Sequence, residues 1–550
     1  MNCFESLQHS FFDFLQKEFS LSFEIMQSAS FDLNCDEKKE QFGDISTNAA
    51  MIIAKHLKKN PRSISEVIIE KFKHPFIEKM ESAGPGFLNF FMTNNWYQQL
   101  ATEIESEQES FFSKQENKIK NKINIEFVSA NPTGPLHIGH GRNGILGDVL
   151  ATIQEFLGHH VSREFYINDA GAQITKLGLS LKIRCLQELG HSIDLFEDAY
   201  QGTYLIDVAK KCVTEFGINL TKEPDSFFET YAKEQMISLQ QTTLEQYGII
   251  FQTWFSEKSL HDHGKVITAL ERLIKTGHTY EQDNALWFRS TTFGDDKDRV
   301  LKKSDGQLTY VAADIAYLID KFERGFTQLY MILGHDHHSY KTRLHAIMVA
   351  LGYDPEQLTI ILYQLVHVFQ DGQAVKMSKR TGKMITLSDI VDEVGKNAAR
   401  FFFLNRKADA ELEFNINLAI SQSNENPIFY IQYAHVRTHS LCCKAEQENI
   451  SAKSITNSTE PFTTDEKMLL KKICFLKRLL SDISKNHQIH LIAYYTYELA
   501  TLFHHYYNLN RIIDPLNKNL SSHRMAIVLL VQKTLQTCFY LMGITPLSKM

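Results

Sequence analysis

The sequence predicts an α/β protein in three units. They are an N-terminal α+β unit over residues 1–113, a parallel-sheet α/β domain over 114–410 with a helical insertion at about 175–298, and an all-α helix bundle over 411–550. Three observations carry this. The 550 residues suggest about three or four domains rather than one enlarged core. From Ile123 onward short apolar strands alternate with glycine-punctuated helices, the texture of a parallel sheet covered by helices. Beyond about Ala408 apolar residues recur at helical spacing to the end.

The first unit opens with a helix over 4–19, followed by a glycine-containing loop at 42–47 and a helical pattern over 48–59. PRSISEVIIEKF is a second helix, with Pro61 and Ser63 suited to its first turn. GPGFLNFFM alternates turn residues with aromatics and closes the unit as a strand. The polar run KQENKIKNK at 114–122 marks the boundary. INIEFV, then a helix in HIGHGRNGILGDVLATIQEFLG, then SREFYI begin the α/β domain, and the pattern returns at LTYVAADIAYLIDKF, QLYMILG and TIILYQLVHVF. Ligands of such folds sit where the two halves meet. In the bundle, Thr463 and Glu466 form a capping box ahead of Leu469, Ile473, Leu476, Leu480 and Ile483, and a polar loop spans roughly 446–464.

Composition excludes several classes. With 43% hydrophobic and 22% charged residues the chain is ordinary globular material. No stretch approaches 18 uninterrupted apolar residues, so no membrane span is expected, and the N-terminal segment carries no targeting pattern, which makes a cytosolic chain the expectation. Eight scattered cysteines without a CxxC pair read as reduced, mostly buried thiols. The net charge of −7 argues against a wholesale nucleic-acid coat. From Pro461 onward, however, eleven bases face five acids. A basic end on an acidic body suits a protein that holds a polyanion at one end, although a solvated helical face has the same charge.

Two segments carry chemistry. SANPTGPLHIGHGRNGILGD places Gly139, Gly141, Gly144 and Gly147 in or near the first turns of a helix, where each costs about 0.5–1 kcal/mol against alanine. Close approach of a flat ligand to the backbone is one reason for the missing side chains, and the helix N-terminus offers free N–H groups to phosphate. His137 and His140 share a face there, placed to donate to phosphate oxygens. Some 235 residues on, QAVKMSKRTGKMITLSDI crowds Lys376, Lys379, Arg380 and Lys383 into one loop before a helix begun by Ser388 or Asp389. That charge suits a developing polyphosphate.

HIGH at 137–140 and KMSK at 376–379 resemble the two motifs of class I aminoacyl-tRNA synthetases. The surrounding text resembles the arginyl-tRNA synthetase family over nearly the whole chain: FGDISTNAA, GPGFLNF, IEFVSANPTGPLHIGHGRN, EFYINDAGAQI, GHDHHSY, ARFFFLNRKADAELEF and ENPIFYIQYAHVR. The resemblance implies a Rossmann-like catalytic domain between an additional N-terminal tRNA-binding domain and an anticodon-binding bundle. It implies activation of L-arginine by ATP, then transfer to the terminal adenosine of its tRNA.

By the same resemblance His137, His140, Lys376 and Lys379 act on the phosphates in the transition state, and Pro132, Gly139, Gly334, Asp336, Met377 and Ser378 bind ATP. Glu126, Asn131, Tyr310, Asp314 and His338 bind arginine, whose guanidinium demands carboxylates. Mg²⁺ rides on ATP, no protein-bound metal or organic cofactor is expected, and the chain is expected to work as a monomer with tRNA and no membrane. Phe503, Tyr506, Tyr507 and Tyr540 are candidates for base stacking, with core positions as the alternative. Rival readings are a class I synthetase for another amino acid and a silent tRNA-binding paralogue; the intact histidines and lysines speak against the latter.

Overall fold

The computed structural model describes residues 2–113, 120–375, 385–452 and 454–550. The N-terminal unit is a four-stranded antiparallel sheet, β1 (Asp32–Leu33), β2 (Ile45–Thr47), β3 (Ile77–Ala83) and β4 (Phe87–Met92), in the order β1-β2-β4-β3. Helices α1 (Cys3–Phe19), α2 (Ala49–Leu57) and α3 (Pro61–Lys71) accompany it. Asn2 and Glu5 form a capping box on α1, and Pro61 takes the first turn of α3 behind the cap Asn60. The expected loop at 42–47 instead contains β2, because Ile45 pairs with Phe90 across the sheet, a partner 45 positions away that local pattern does not reveal. Phe11 of α1 meets Phe90 edge-on at 5.2 Å. A last helix, α4 (Asn94–Glu107), leads out of the unit.

The central domain is built on five parallel strands: β5 (Lys122–Glu126), β6 (His160–Ile167), β7 (Thr253–Ser256), β11 (Gln328–Gly334) and β12 (Leu358–Tyr363), in the order β12-β11-β5-β6-β7. The chain runs outward from β5 to one edge and returns to β11 on the other side of β5. The switch point therefore lies between the carboxyl ends of β5 and β11.

Helix α5 (Ile138–Phe156) joins β5 to β6. The stretch 175–298, expected to be largely helical, is helical in α6 (Ala172–Glu188), α7 (Thr203–Phe216) and α8 (Asp225–Gln246), which share a small core of their own. It then supplies the edge strand β7, the helices α9 (Glu257–Asp262) and α10 (Lys265–Lys275), and most of an antiparallel sheet of β8 (Thr279–Gln282), β9 (Ala285–Phe288) and β10 (Arg299–Lys302). Four residues of half-buried TWFS are too short for their period to be read in advance.

Helices α11 (Tyr310–Glu323) and α12 (His338–Ala350) complete the second half. TIILYQLVHVF divides between two sheets. Its first part is β12, and its second, β13 (Val366–Gln370), pairs with β14 (Gln373–Ala374) and, in parallel, with β15 (Leu412–Asn415). Arg142 of α5, wholly buried, pins the break by donating to the carbonyls of Gln364 at 2.7 Å and Lys407 at 2.8 Å. The strand β15 also interrupts the helical pattern expected beyond Ala408. Helix α13 (Leu387–Val394) starts at Leu387, capped by Thr386 and Asp389 rather than begun by Ser388, and α14 (Lys396–Leu404) follows.

The C-terminal bundle comprises α15 (Pro427–Gln447), α16 (Thr464–Asn486), α17 (Leu491–Leu509) and α18 (Lys518–Met542). The Thr463–Glu466 capping box forms, and the five apolar residues predicted for α16 are buried. Helix α18 is long and apolar enough to cross a membrane by length and composition, yet most of its apolar window is buried in the bundle.

The basic residues of α16 have a use that charge counting did not anticipate. Lys471 pairs with Asp44 at 3.0 Å, Lys477 with Glu5 at 2.8 Å and Arg478 with Asp32, all acids of the N-terminal unit, while Lys472 pairs with Glu498. Much of the positive excess on this helix thus holds two units of the same chain together.

Candidate active site

Helix α5 begins at the switch point with an unusual cap. Gly139 N–H donates to Nδ1 of His137 at 3.1 Å, and His137 N–H donates to Nδ1 of His140 at 3.2 Å. The two rings stack at 3.6 Å. Because both Nδ1 atoms accept, each neutral imidazole carries its proton on Nε2, so both present a donor of fixed identity.

The four glycines of this helix divide by cause. A Cβ on Gly141 would lie 2.6 Å from Leu387, on Gly144 2.7 Å from Ile249, and on Gly147 2.2 Å from the ring of Phe127. Gly147 is required by packing against that ring, while Gly141 and Gly144 face the tips of flexible side chains, so packing within the protein joins ligand approach as a reason for the run. Gly139 meets only the ring of His137, at 3.0 Å, and stays open to a ligand explanation. Gly147→Ala should lower stability by about 1–3 kcal/mol through overpacking, against alanine's helix advantage of about 1 kcal/mol. Denaturant titration checks this, and a variant as stable as the parent refutes the packing account.

The loop between β5 and α5 is strained. Val128 at φ 64° and Ser129 at φ 41° both occupy the left-handed region, which for a β-branched residue costs about 1–3 kcal/mol. Asn143 of α5 holds it across the switch point, accepting from Val128 N–H at 2.8 Å and donating to Ile332 O of β11 at 2.9 Å. Beyond the strained pair Asn131 is exposed and Pro132 buried. The segment following 376–384 returns to the same place, where Thr386 bridges to His137 and Leu387 N–H donates to Leu136 O at 2.9 Å.

Carboxylates gather beside this loop, but their charge states differ. Glu126, at the end of β5, is ion-paired at 2.6 Å with Lys321, whose side chain is 0% exposed, so its charge is already balanced from within. Glu164 on the neighbouring strand is neutralised by Arg324 and held below the usual carboxylate range by Lys321 and Arg324 against the effect of burial.

Asp314 differs. Its Oδ1 accepts from the Tyr340 hydroxyl at 2.7 Å, Arg343 stands off at 3.8 Å from Oδ2, and Oδ2 has no hydrogen-bond partner among the described residues. Burial, and next the charge of Glu126, push its carboxyl up to about 6. Glu257, the first residue of α9 at the carboxyl end of β7, is 4% exposed. Burial, with the charges of Asp314 and Asp169, pushes it up to about 7 against a hydrogen bond from Tyr166. Asp169 itself is occupied by Lys233 at 3.2 Å and the N–H of Lys258 at 3.0 Å.

Among the described residues these two buried acids have no cation closer than Arg343 at 3.8 Å from Asp314, an arrangement whose charge suits a multi-donor cation. Sequence reasoning missed Glu257; its signal is its place directly after a strand of the parallel sheet.

Tyr310, predicted to flank the pocket with Asp314, is 71% exposed at the start of α11, and the ring that touches Asp314 is Tyr340. Gly334 ends β11 beside the switch point, and Asp336 and His335 are exposed just beyond it. The side chain of His338 and residues Lys376, Met377, Ser378 and Lys379 lie outside the described ones. Among the described residues no group of three or more His, Cys, Asp or Glu side chains is placed to hold a metal ion.

Comparison with known proteins gives the family. The family described as tRNA synthetases class I (R), catalytic domain, matches residues 102–423, more than half the chain. The chain belongs to the arginyl-tRNA synthetase family. The arginyl-tRNA synthetase N-terminal domain matches 6–92 and the DALR anticodon-binding domain 431–550. Similar relatives include the arginine–tRNA ligase of Bacillus velezensis, 42% identical over 519 residues with 93% of each chain covered, and that of Bacillus subtilis, 41% identical over 521 residues at the same coverage. Among solved structures, a Campylobacter jejuni chain assigned as an arginyl-tRNA synthetase has a TM-score of 0.76 at 35% identity, covering 84% of this chain and 100% of its own. Thermus thermophilus arginyl-tRNA synthetase shares the fold over the whole of both chains, with a TM-score of 0.76 at 19% identity.

In this synthetase the bundle aromatics sort by burial. Phe503 and Tyr506 are 0% exposed and belong to the core, whereas Tyr540 is 60% exposed. Tyr507 is half-buried on a surface stack, with the guanidinium of Arg437 4.6 Å from its ring centre and 4.4 Å from that of Tyr433. His504 fixes Arg437 at 2.8 Å. Tyr433 and Arg437 stand one helical turn apart on α15, a spacing visible in ENPIFYIQYAHVR once its function is asked about.

Proposed function

We propose that Asp314 and Glu257 take the guanidinium of L-arginine in an arginine–tRNA ligase whose signature helix holds ATP. The observation that carries the reading is the pair of buried carboxyls, both raised, beside the switch point and lacking a full cationic partner. A guanidinium supplies several donors in a plane and the missing positive charge, and a substrate without it leaves both acids buried and unpaired. Glu126, Asn131 and His338 complete the arginine side, Glu126 through the pair it forms with Lys321, and Tyr340 takes the place beside Asp314 expected of Tyr310. Pro132, Gly139, Gly334, Asp336, Met377 and Ser378 line the ATP side.

The arginine carboxylate attacks the α-phosphate of ATP in line, pyrophosphate leaves, and arginyl-adenylate remains. A ribose hydroxyl of the terminal adenosine of tRNA then attacks the acyl carbon and AMP leaves. No covalent enzyme intermediate is required. His137 and His140 donate Nε2–H to phosphate oxygens as negative charge develops, and Lys376 and Lys379 neutralise departing pyrophosphate. Mg²⁺ arrives on ATP as part of the substrate. Residues 1–113, 114–410 and 411–550 divide the work into tRNA-body binding, catalysis and anticodon binding. In this reading the enzyme works as a monomer in the cytosol.

The test is ATP-dependent charging of total bacterial tRNA with each of the twenty labelled amino acids separately. Label with arginine alone is the expected result; another amino acid removes the pocket assignment, and no label with an active control enzyme favours the silent paralogue. For the tRNA partner, Arg437→Ala should raise the Michaelis constant for tRNA about tenfold, since base stacking contributes about 1–3 kcal/mol per base. Steady-state aminoacylation at varied tRNA checks this. An unchanged tRNA constant removes the Tyr433–Arg437–Tyr507 stack from the tRNA surface.

A further inference from the structure

The strained loop that carries Asn131 is gripped at its far end by the helical insertion. Gln240 of α8, 1% exposed, donates through one Nε2 to two loop carbonyls, Asn131 O at 3.0 Å and Gly134 O at 2.9 Å. Tyr204 of α7 donates its hydroxyl to Thr133 O at 2.7 Å, and the same oxygen lies 3.2 Å from where a Cβ on Gly134 would be. Three carbonyls within four residues thus face two side chains from helices 70 to 110 positions downstream. Gln240 Oε1 is buried with no partner among the described residues, so this amide sits where only its donor end is used. At the near end Asn143 fixes Val128. A segment with two non-glycine residues in the left-handed region relaxes unless both ends are held.

We infer that Gln240, seconded by Tyr204, is a positioning residue for arginine: the insertion clamps the backbone of residues 131–134 so that Asn131 meets the amino-acid end of the substrate. This rests on the reading of Asn131 given above. The insertion then acts on the substrate through the backbone of this loop as well as through Glu257. Two donors pulling on carbonyls at both sides of Pro132 set the peptide planes of the loop. A displacement of about 1 Å at such a loop suffices to lower turnover by one to two orders of magnitude.

The full-length enzyme with Gln240→Met, Gln240→Glu and Tyr204→Phe tests this by steady-state aminoacylation and thermal unfolding. Methionine keeps the volume and loses the donor altogether; glutamate keeps the shape and, buried against two carbonyls, holds a proton with which it serves one of them at most. Gln240→Met should raise the arginine Michaelis constant about tenfold or more and Gln240→Glu by less, both leaving the tRNA constant at the parent value. Tyr204→Phe should raise the arginine constant about threefold with a parent-like melting temperature, which keeps the test decisive where a Gln240 variant folds poorly. A parent-like arginine constant in Gln240→Met overturns the clamp, as does an equal fall in activity toward arginine, ATP and tRNA. Asn131→Ala separates the two levels. A raised arginine constant there beside a parent-like one in Gln240→Met overturns the clamp alone, and a parent-like constant in Asn131→Ala overturns the clamp together with the reading beneath it.

Discussion

Asp314→Asn should raise the Michaelis constant for arginine by two to three orders of magnitude and leave that for ATP within a few-fold. The asparagine keeps the Tyr340 hydrogen bond and removes the charge that the guanidinium needs. Breaking one side of a buried ion pair costs about 3–5 kcal/mol, and each 1.4 kcal/mol is about tenfold in affinity.

The same site predicts a pH dependence. With Asp314 at about 6 and Glu257 at about 7 in the empty pocket, a cationic ligand must displace protons. The arginine constant should therefore fall as pH rises from about 5 to 7.5 and level off above, and Asp314→Asn should flatten that slope.

Stability runs the other way. Each folded carboxyl keeps its proton after the unfolded chain has released it near its ordinary value of 3.8 or 4.5, so the pair contributes nothing at low pH. It increasingly opposes folding as pH climbs to about 7. At pH 8 Asp314→Asn should then be more stable than the parent, by about 1–3 kcal/mol, while using arginine poorly. Arginine titrations across pH with denaturant curves check both signs. An arginine constant unchanged in the folded variant takes Asp314 out of the pocket.

Arg400→Met should be the most destabilising single change away from the pocket, with a loss of about 3–5 kcal/mol. Arg400 is 1% exposed on α14 and spends its donors in three directions. Nε reaches Met542 O at the end of the last helix at 2.8 Å, Nη1 reaches Tyr247 O at 3.2 Å, and Nη2 pairs with Asp148 of α5 at 2.5 Å. Asp148 is shared with Arg163 of β6 at 3.1 Å. Gly543 at φ 64° is also required, since a Cβ there would fall 2.2 Å from the guanidinium. One side chain thus ties the signature helix, the C-terminal end of α8 and the C-terminal bundle together.

Methionine leaves two carbonyls and part of a carboxylate without donors where water does not reach. Arg400→Lys should recover only a fraction, because an ammonium cannot serve three separated acceptors in the guanidinium's plane. The measurement is the first unfolding transition in denaturant, as a chain of several domains need not unfold in one step. A parent-like transition in Arg400→Met would show that these contacts are dispensable.

The legible parts of this molecule were those written within a few residues. The capping box at Thr463, the buried stripe of α16, Pro61 at the head of α3 and the alternation of β5, α5 and β6 all follow from periodicity and cap chemistry. What escaped were elements whose reason lies far along the chain. β2 is a strand because of Phe90, β7 because β6 offers an edge, and β15 because β13 does. Their own residues are too few to show a period.

The site divides in the same way. By itself the sequence determined the family, the two signature segments, the demand for carboxylates and a helix N-terminus built to face phosphate, because motif order and side-chain chemistry are local facts. Only the tertiary structure decided which acids await a cation. Lys321 neutralises Glu126 from 195 residues away, while Glu257, unremarked in the sequence, stands beside Asp314 short of one. It likewise decided that Gly147 serves packing, and that Lys471 and Lys477 of α16 serve the N-terminal acids before any polyanion. Charge balance and close packing are pairwise properties, and the partner in each pair is chosen by the fold.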